Sequence, residues 1–175
     1  MNTEPTLSFC RPVVAAELLG QDTPLGRAAL LGRLIHPDDI YLFQDGTLSQ
    51  RLFSEILESY MAGLDLATCL LGFTFVERSI AGRLAHIGQA AAAERTSEEL
   101  LKEALRRGWL SQEEHATLER LRKDRNTLVH YKDQLTEARP EIWAVMSAKS
   151  TPELLASDAK RILQAVFTVL KKTAL

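Results

Sequence analysis

The sequence predicts an all-α protein, built as an antiparallel helical bundle with short connections. Apolar residues recur at helical spacing in most segments, and no segment has the alternating, β-branched run that is typical of a strand. Helix-starting pairs of Ser or Thr with a Glu three positions later occur repeatedly. The 175 residues, 46% hydrophobic and 25% charged, are sufficient for a sizeable hydrophobic core. We therefore expect one domain over 1–175, with 1–46 as an N-terminal helical extension and 47–175 as the bundle core.

The first predicted helix is "PLGRAALLGRLI". Thr23 is a good N-cap and Pro24 suits the first helical position, while His36-Pro37 closes the helix. A second helix is expected over "TLSQRLFSEILESYM". Its apolar face repeats through Leu52, Ile56 and Tyr60.

The central helix is predicted from about Leu64 to Ile87, after a break at Gly63. It is apolar on nearly all sides, so it should be the most buried element of the bundle. The alanine run that follows Gln89 is interpreted as a linker.

Two capping boxes start the next helices, and they are Thr96 with Glu99 and Ser111 with Glu114. Gly108 stops the first of these helices. The second should run from about Gln112 into the stretch "LRKDRNTLVHYK". A short piece around "PEIWAVMSA" follows, and Ser150 and the next three residues open the last helix, "PELLASDAKRILQAVFTVLKK".

Composition excludes several classes of protein. The longest apolar segment is interrupted by Glu77, Arg78 and Arg83 before it reaches a membrane-spanning length. The N-terminus lacks the pattern of a signal peptide, so we expect a cytoplasmic location. Cys10 and Cys69 are too few for a disulfide framework or a metal cluster and are expected as free thiols. The net charge of −2 gives no global attraction to nucleic acid.

The stretch "LRKDRNTLVHYK" breaks the helical pattern. Its apolar stripe is Leu118, Leu121, Leu128 and Val129. Arg125 lies inside that stripe, where an arginine is costly unless it is paired or used. Asn126 and His130, four residues apart, share the neighbouring face. On residue types alone, a snorkelling Arg125 beside a satisfied surface His130 is the simpler interpretation.

"RNTLVH" resembles the R-x(4–6)-H signature of the HEPN superfamily. HEPN domains are helical bundles in which a long apolar helix precedes a helical hairpin that carries this motif. The order here is the same, so the resemblance covers about Leu64 to Lys132. It implies a HEPN-like core of four to five helices with an additional N-terminal helical segment.

The resemblance also implies a function, since many HEPN proteins are endoribonucleases that need no metal or other cofactor. It assigns His130 to proton transfer, Arg125 to the phosphate and Asn126 to substrate positioning, roles that suit these side chains. In the family, two protomers join their motifs across a two-fold axis, which predicts a homodimer acting on RNA. The biological setting that it implies is a toxin–antitoxin or phage-defence system.

Further residues are expected to support this site. Five basic residues against two acidic ones between Glu119 and Lys132 give a local charge of +3, so RNA-binding roles are predicted for Arg122, Lys123 and Lys132. Glu77, a carboxylate on the most buried helix, needs a basic partner, for which Arg125 is one candidate and a surface residue the other. Tyr131 follows the histidine directly.

HEPN toxins that are silenced by nucleotidyltransferase partners resemble R-x4-H-x-Y instead, with one residue between the histidine and the tyrosine. An antitoxin or nucleotidyltransferase partner is thus implied only by the resemblance. The alternative is a HEPN-like bundle that has lost catalysis and acts as a nucleotide- or protein-binding module. A DNA-binding helix-turn-helix is disfavoured, because its second helix would begin with the acidic "SQEEHATLE".

Overall fold

The computed structural model describes residues 22–36, 38–39, 41–43, 46–129 and 148–173. Within these ranges every regular element is a helix and no strand is present, which confirms the predicted all-α bundle. The chain divides into two compact units, residues 1–38 and 39–175. The predicted single domain, with its division at residue 46, stays a prediction.

The first unit contains helix α1, Pro24–Leu34. Its start follows the expected chemistry: the Thr23 hydroxyl accepts a hydrogen bond from the Gly26 N–H at 3.1 Å, and Pro24 takes the first helical position. The helix ends before His36, as predicted, with Ile35 in an extended conformation.

The second unit contains the helices of the bundle. They are α2 (Thr47–Met61), α3 (Asp65–His86), α4 (Ala90–Ala93), α5 (Ser97–Arg106), α6 (Gln112–Val129) and α7 (Thr151–Thr173). These bounds match the sequence predictions closely except after Gln89, where the predicted linker is wrong. The alanine run forms the short helix α4, because alanine has the highest helix propensity of all residues. Most of "PEIWAVMSA" lies outside the described residues.

Local hydrogen bonds set the ends of these helices. Thr96 accepts a hydrogen bond from the Glu99 N–H, while the Glu99 carboxylate accepts one from the Thr96 N–H. The same exchange joins Ser111 to Glu114 and Ser150 to Glu153. Gly63 and Gly108 follow α2 and α5 with φ of 75° and 71°, a left-handed conformation that favours glycine. Both predicted capping boxes and both predicted stops are confirmed.

Helix α3 lies at the centre of the unit and packs against α2, α5, α6 and α7. Its buried apolar side chains are Cys69, Phe73, Phe75, Val76, Ile80 and Leu84. An aromatic cluster joins it to its neighbours, with ring centroids 5.4 to 6.2 Å apart, and consists of Tyr41, Phe43, Phe53, Phe75 and Phe167. On α2, Ile56 and Tyr60 are buried as predicted, but Leu52 is only half-buried because Phe53 takes the core position.

Contacts along α3 define the directions of the helices around it. Gly72 lies against Ile162 of α7, and Arg83 further along donates from Nη1 to the carbonyl of Lys172 at 2.5 Å, so α3 and α7 run parallel. Helix α6 runs the opposite way, since Glu114 in its first turn pairs with Lys172 at 2.6 Å. The end of α6 that carries Arg125 therefore reaches the middle of α3.

Gly72 permits the close approach of α3 to α7. A Cβ atom at this position would lie 2.8 Å from Cγ1 of Ile162, which is shorter than real Cβ contacts. We expect Gly72→Ala to lower the free energy of unfolding by about 1 to 3 kcal/mol, the usual cost of overpacking. Urea unfolding of the purified protein measures it.

The control uses the neighbour that causes the crowding. Ile162→Ala removes the contacting methyl and methylene groups, so Gly72→Ala should cost much less in that background than in the wild type. An equal cost in both backgrounds would contradict the proposed crowding.

Candidate functional site

Arg125 of α6 forms an ion pair with Glu77 of α3. Nη2 of the arginine donates to Oε1 of the glutamate at 2.9 Å, and the two side chains are 21% and 22% exposed. This confirms the predicted partner of Glu77. The mostly buried positions of both charges explain why neither helix could accept its charged residue alone.

The Arg125 guanidinium is oriented on two further sides. Its central carbon lies 5.1 Å from the ring centroid of Phe73, a cation–π distance, and its Nη1 donates to Oδ1 of Asn126 at 3.2 Å. The bonds to Glu77 and Asn126 use two of its five N–H groups. The other three N–H groups are not used by these bonds, and a guanidinium can donate such groups to a phosphate.

Ser97 is a member of this cluster that sequence reasoning missed. It is the first residue of α5, and its hydroxyl donates to the same Glu77 Oε1 that accepts from Arg125. One carboxylate oxygen thus connects three helices. We name Arg125, Asn126, Glu77 and Ser97 the Arg125 cluster.

The predicted RNA-binding arginine at 122 is engaged elsewhere in this structure. Arg122 Nη2 pairs with Glu119 at 2.9 Å and with Glu98 of α5 at 3.3 Å, and its side chain is only 15% exposed. The hydrogen bond to Glu119 is the main reason that the pKa of Arg122 is raised. Lys123, by contrast, is exposed. Arg122 therefore serves first as a link between α5 and α6.

His130, Tyr131 and Lys132 lie outside the described residues, so the structure places only the arginine and asparagine of the motif. Helix α6 is described as far as Val129. Within the predicted stripe Leu118 and Leu121 are buried, whereas Val129 is 50% exposed. The stripe therefore reaches the surface one turn beyond Arg125.

A pair of carboxylates lies beside the Arg125 cluster and was also missed. Burial raises the pKa of Asp124, and the negative charge of Asp158 on α7 raises it further. Burial raises the pKa of Asp158 too, although Arg161 Nη1 donates to it at 3.0 Å. Both residues line a small cavity with Cys69, whose pKa burial raises to about 12, so its thiol is not a nucleophile at neutral pH.

Cavity size does not single out the Arg125 cluster. The cavity that Arg125 lines measures about 10 Å³, enough for a single water molecule at most. A larger one of about 180 Å³ lies between α6 and α7, against Glu114, Thr117, Arg161 and Gln164. The cavity beside Arg125 is therefore too small to hold an organic ligand.

Comparisons with protein-family models, with curated proteins and with solved structures give no match for this chain. The chemistry of the site is accordingly argued from its own residues. Among the described residues, no three His, Cys, Asp or Glu side chains are grouped so that they could hold a metal ion. In the same part of the chain no helix combines the length and the apolarity needed to cross a membrane.

We expect Glu77→Gln to lower the free energy of unfolding by about 1 to 2 kcal/mol. This value lies between the cost of losing an exposed ion pair and that of breaking a buried one, because both side chains are largely but not wholly buried. Urea unfolding measures it. The control is Glu55→Gln, which removes an exposed pair with Arg51 on α2 and should change stability much less, because water screens exposed charges. Equal effects of the two changes would contradict a special role for the Glu77–Arg125 pair.

Asp124 should make stability depend on acidity. Because its pKa is raised in the folded protein, the folded state retains a proton that the unfolded state has lost, so stability falls as pH rises through this window. Asp124→Asn should therefore be more stable than the wild type at neutral pH. The difference should vanish below about pH 3, where the carboxyl is protonated in both states. Unfolding curves between pH 3 and 7 test this, and a difference that is constant with pH would contradict it.

Proposed function

We propose that this protein is a metal-independent endoribonuclease of the HEPN type, acting in the cytoplasm as a homodimer with a composite active site. The observation that carries the proposal is the orientation of Arg125. Its guanidinium is held by Glu77, by Asn126 and by the ring of Phe73, and its side chain remains 21% exposed. The resemblance of "RNTLVH" to the HEPN motif supplies the reaction and a role in a toxin–antitoxin or phage-defence system.

The chemistry assigns one step to each residue of the motif. Cleavage of RNA by its own 2′-hydroxyl needs a base for that proton, an acid for the leaving 5′-oxygen and a cation for the charge at phosphorus. Arg125 stabilises the phosphorane-like charge through its remaining N–H groups. His130 transfers protons, since imidazole titrates near neutral pH. His130 of the second subunit completes the pair of proton-transfer groups.

Asn126 is proposed to donate a hydrogen bond to the RNA. Since its Oδ1 accepts the bond from Arg125, the amide nitrogen faces elsewhere and carries two N–H groups. Acceptors for them are the oxygens of the phosphate or the ribose. The amide therefore both fixes the arginine and reads the substrate.

Val129 supports the homodimer. It follows Arg125 by one helical turn on the same face and is 50% exposed, although it is apolar. Contact with a second copy of α6 would cover it and bring two motifs together, because a two-fold axis places each surface against itself.

The second candidate is a HEPN-like module that binds nucleotides or proteins without catalysis. The observation that favours it is the ion pair itself, since Glu77 already neutralises the charge of Arg125. In that case an antitoxin or a nucleotide would be bound but RNA would not be cut.

Cleavage of a mixed RNA in excess chelator separates the two functions. We expect the wild type to yield cyclic phosphate ends, and Arg125→Ala and His130→Ala to lose activity by at least about 100-fold, the usual contribution of such groups. Arg51→Ala and His86→Ala are matched controls, because both residues are exposed and lie outside the motif and its basic stretch. Pure folded dimer that cuts nothing, or motif variants that cut as fast as the controls, would contradict the ribonuclease.

Asn126→Asp tests the proposed donor. Aspartate can still accept from Arg125 but offers no N–H group and adds a negative charge near the phosphate. We expect cleavage to fall by at least about 10-fold while stability is unchanged or increased. Asn126→Ala, which adds no charge, should lose less activity. Cleavage rates and urea unfolding on the same preparations measure both effects, and an active Asn126→Asp would contradict the donor role.

A further inference from the structure

The hydroxyl of Ser97 does not cap α5, although Ser97 is the first residue of that helix. As the first residue of α5, it would ordinarily help to start the helix, but Thr96 and Glu99 already do so by their reciprocal hydrogen bonds. The Ser97 hydroxyl donates instead to Oε1 of Glu77, twenty residues earlier in the chain. Its hydrogen bond is therefore tertiary and not part of the cap.

Glu77 is paired with one arginine and lies near a second one, whose electrostatics it influences. Glu77 pairs with Arg125 at 2.9 Å. Its negative charge also raises the pKa of Arg122, although Glu119 and Glu98 contribute more to that shift. The terminal torsion of a glutamate is broad, so a carboxylate that accepts from a single donor can still rotate about that torsion. A second donor on the same oxygen removes that freedom.

We propose that Ser97 is a positioning residue for Arg125. By donating to Glu77 Oε1, the hydroxyl holds the carboxylate in the orientation that aims the guanidinium at the RNA phosphate. The N-terminus of α5 adds to this hold, since the positive end of a helix favours a nearby carboxylate. Ser97 acts only through Glu77 and touches no substrate. Its catalytic consequence rests on the proposed ribonuclease function, whereas its effect on Arg125 does not.

Two variants of equal size isolate the hydroxyl. Ser97→Thr keeps it and Ser97→Val replaces it with a methyl group, so the two differ only in the bond to Glu77. Thr96→Val is the control, because it damages the start of α5 and leaves the Ser97–Glu77 bond in place. Thr96 is exposed and Ser97 is half-buried, so we expect all three variants to fold. Circular dichroism and urea unfolding verify this.

The first readout is an NMR signal of Arg125, which can be measured whether or not the protein cleaves RNA. In the wild type, Ser97→Thr and Thr96→Val, the Nη2–H group of Arg125, which donates to Glu77, should give a dispersed NMR signal that exchanges slowly with water. In Ser97→Val it should move towards the position of a free arginine and exchange at least about 10-fold faster. An unchanged signal in Ser97→Val, or an equal change in Thr96→Val, would overturn the proposal.

The second readout is cleavage. Ser97→Val should lower kcat about 10- to 100-fold with KM nearly unchanged, since misplacement of a catalytic group by about 1 Å has effects of this size. Ser97→Thr should restore kcat to within about threefold of the wild type. If kcat is the same in Ser97→Val and Ser97→Thr, the positioning role is overturned. If the NMR signal responds but no protein cuts RNA, the role of Ser97 in orienting Arg125 is supported and the ribonuclease proposal is the part that fails.

Discussion

The geometry around the motif depends on one ion pair, which joins Glu77 of α3 to Arg125 of α6. Helix α3 is the most heavily packed element, and α6 presents its apolar stripe to it, yet each carries a charge at the crossing. Either charge alone would destabilise this crossing, by about 1 to 2 kcal/mol at this partial burial, and the pair removes most of that cost. Together they specify which part of α6 lies against α3. The interaction therefore sets register at least as much as it adds stability.

The same pair determines how α5 joins the bundle. Ser97 binds the glutamate oxygen that Arg125 uses, and Arg122, one turn before Arg125, binds Glu98 of α5. The hairpin of α5 and α6 is thus attached to α3 through polar contacts on one side and through buried leucines on the other. Polar contacts are directional, whereas leucine contacts are not, so the arrangement favours a single geometry around the motif.

Local chemistry explains which features could be predicted from the sequence. Helix starts at Thr96 and Ser111 and stops at Gly63 and Gly108 depend on residues three or four positions apart, so they can be recognised without the fold. The sequence predicted a basic partner for Glu77, because a charge on an apolar helix needs an opposite charge, but it left both Arg125 and a surface residue as candidates. The alanine run was predicted as a linker and forms a short helix, whose start has no side-chain capping bond that would mark it in the sequence.

Features that join distant parts of the chain could not be predicted in this way. The hydroxyl of Ser97 looks like part of a helix cap in sequence, and only the packing of α5 against α3 brings it to Glu77. Asp124 and Asp158 come together because α6 and α7 run antiparallel, a fact that no spacing in the sequence contains.

Burial of Cys69 gives the bundle an internal reporter of its own opening. The thiol is 6% exposed and its pKa is about 12, so a thiol reagent finds neither access nor thiolate while α3, α6 and α7 remain packed. Alkylation at this residue must wait for those helices to separate, and its rate at low reagent reactivity follows the free energy of that separation. The alkylation rate of Cys69 therefore measures how often the core opens, whether or not the surface site has any activity.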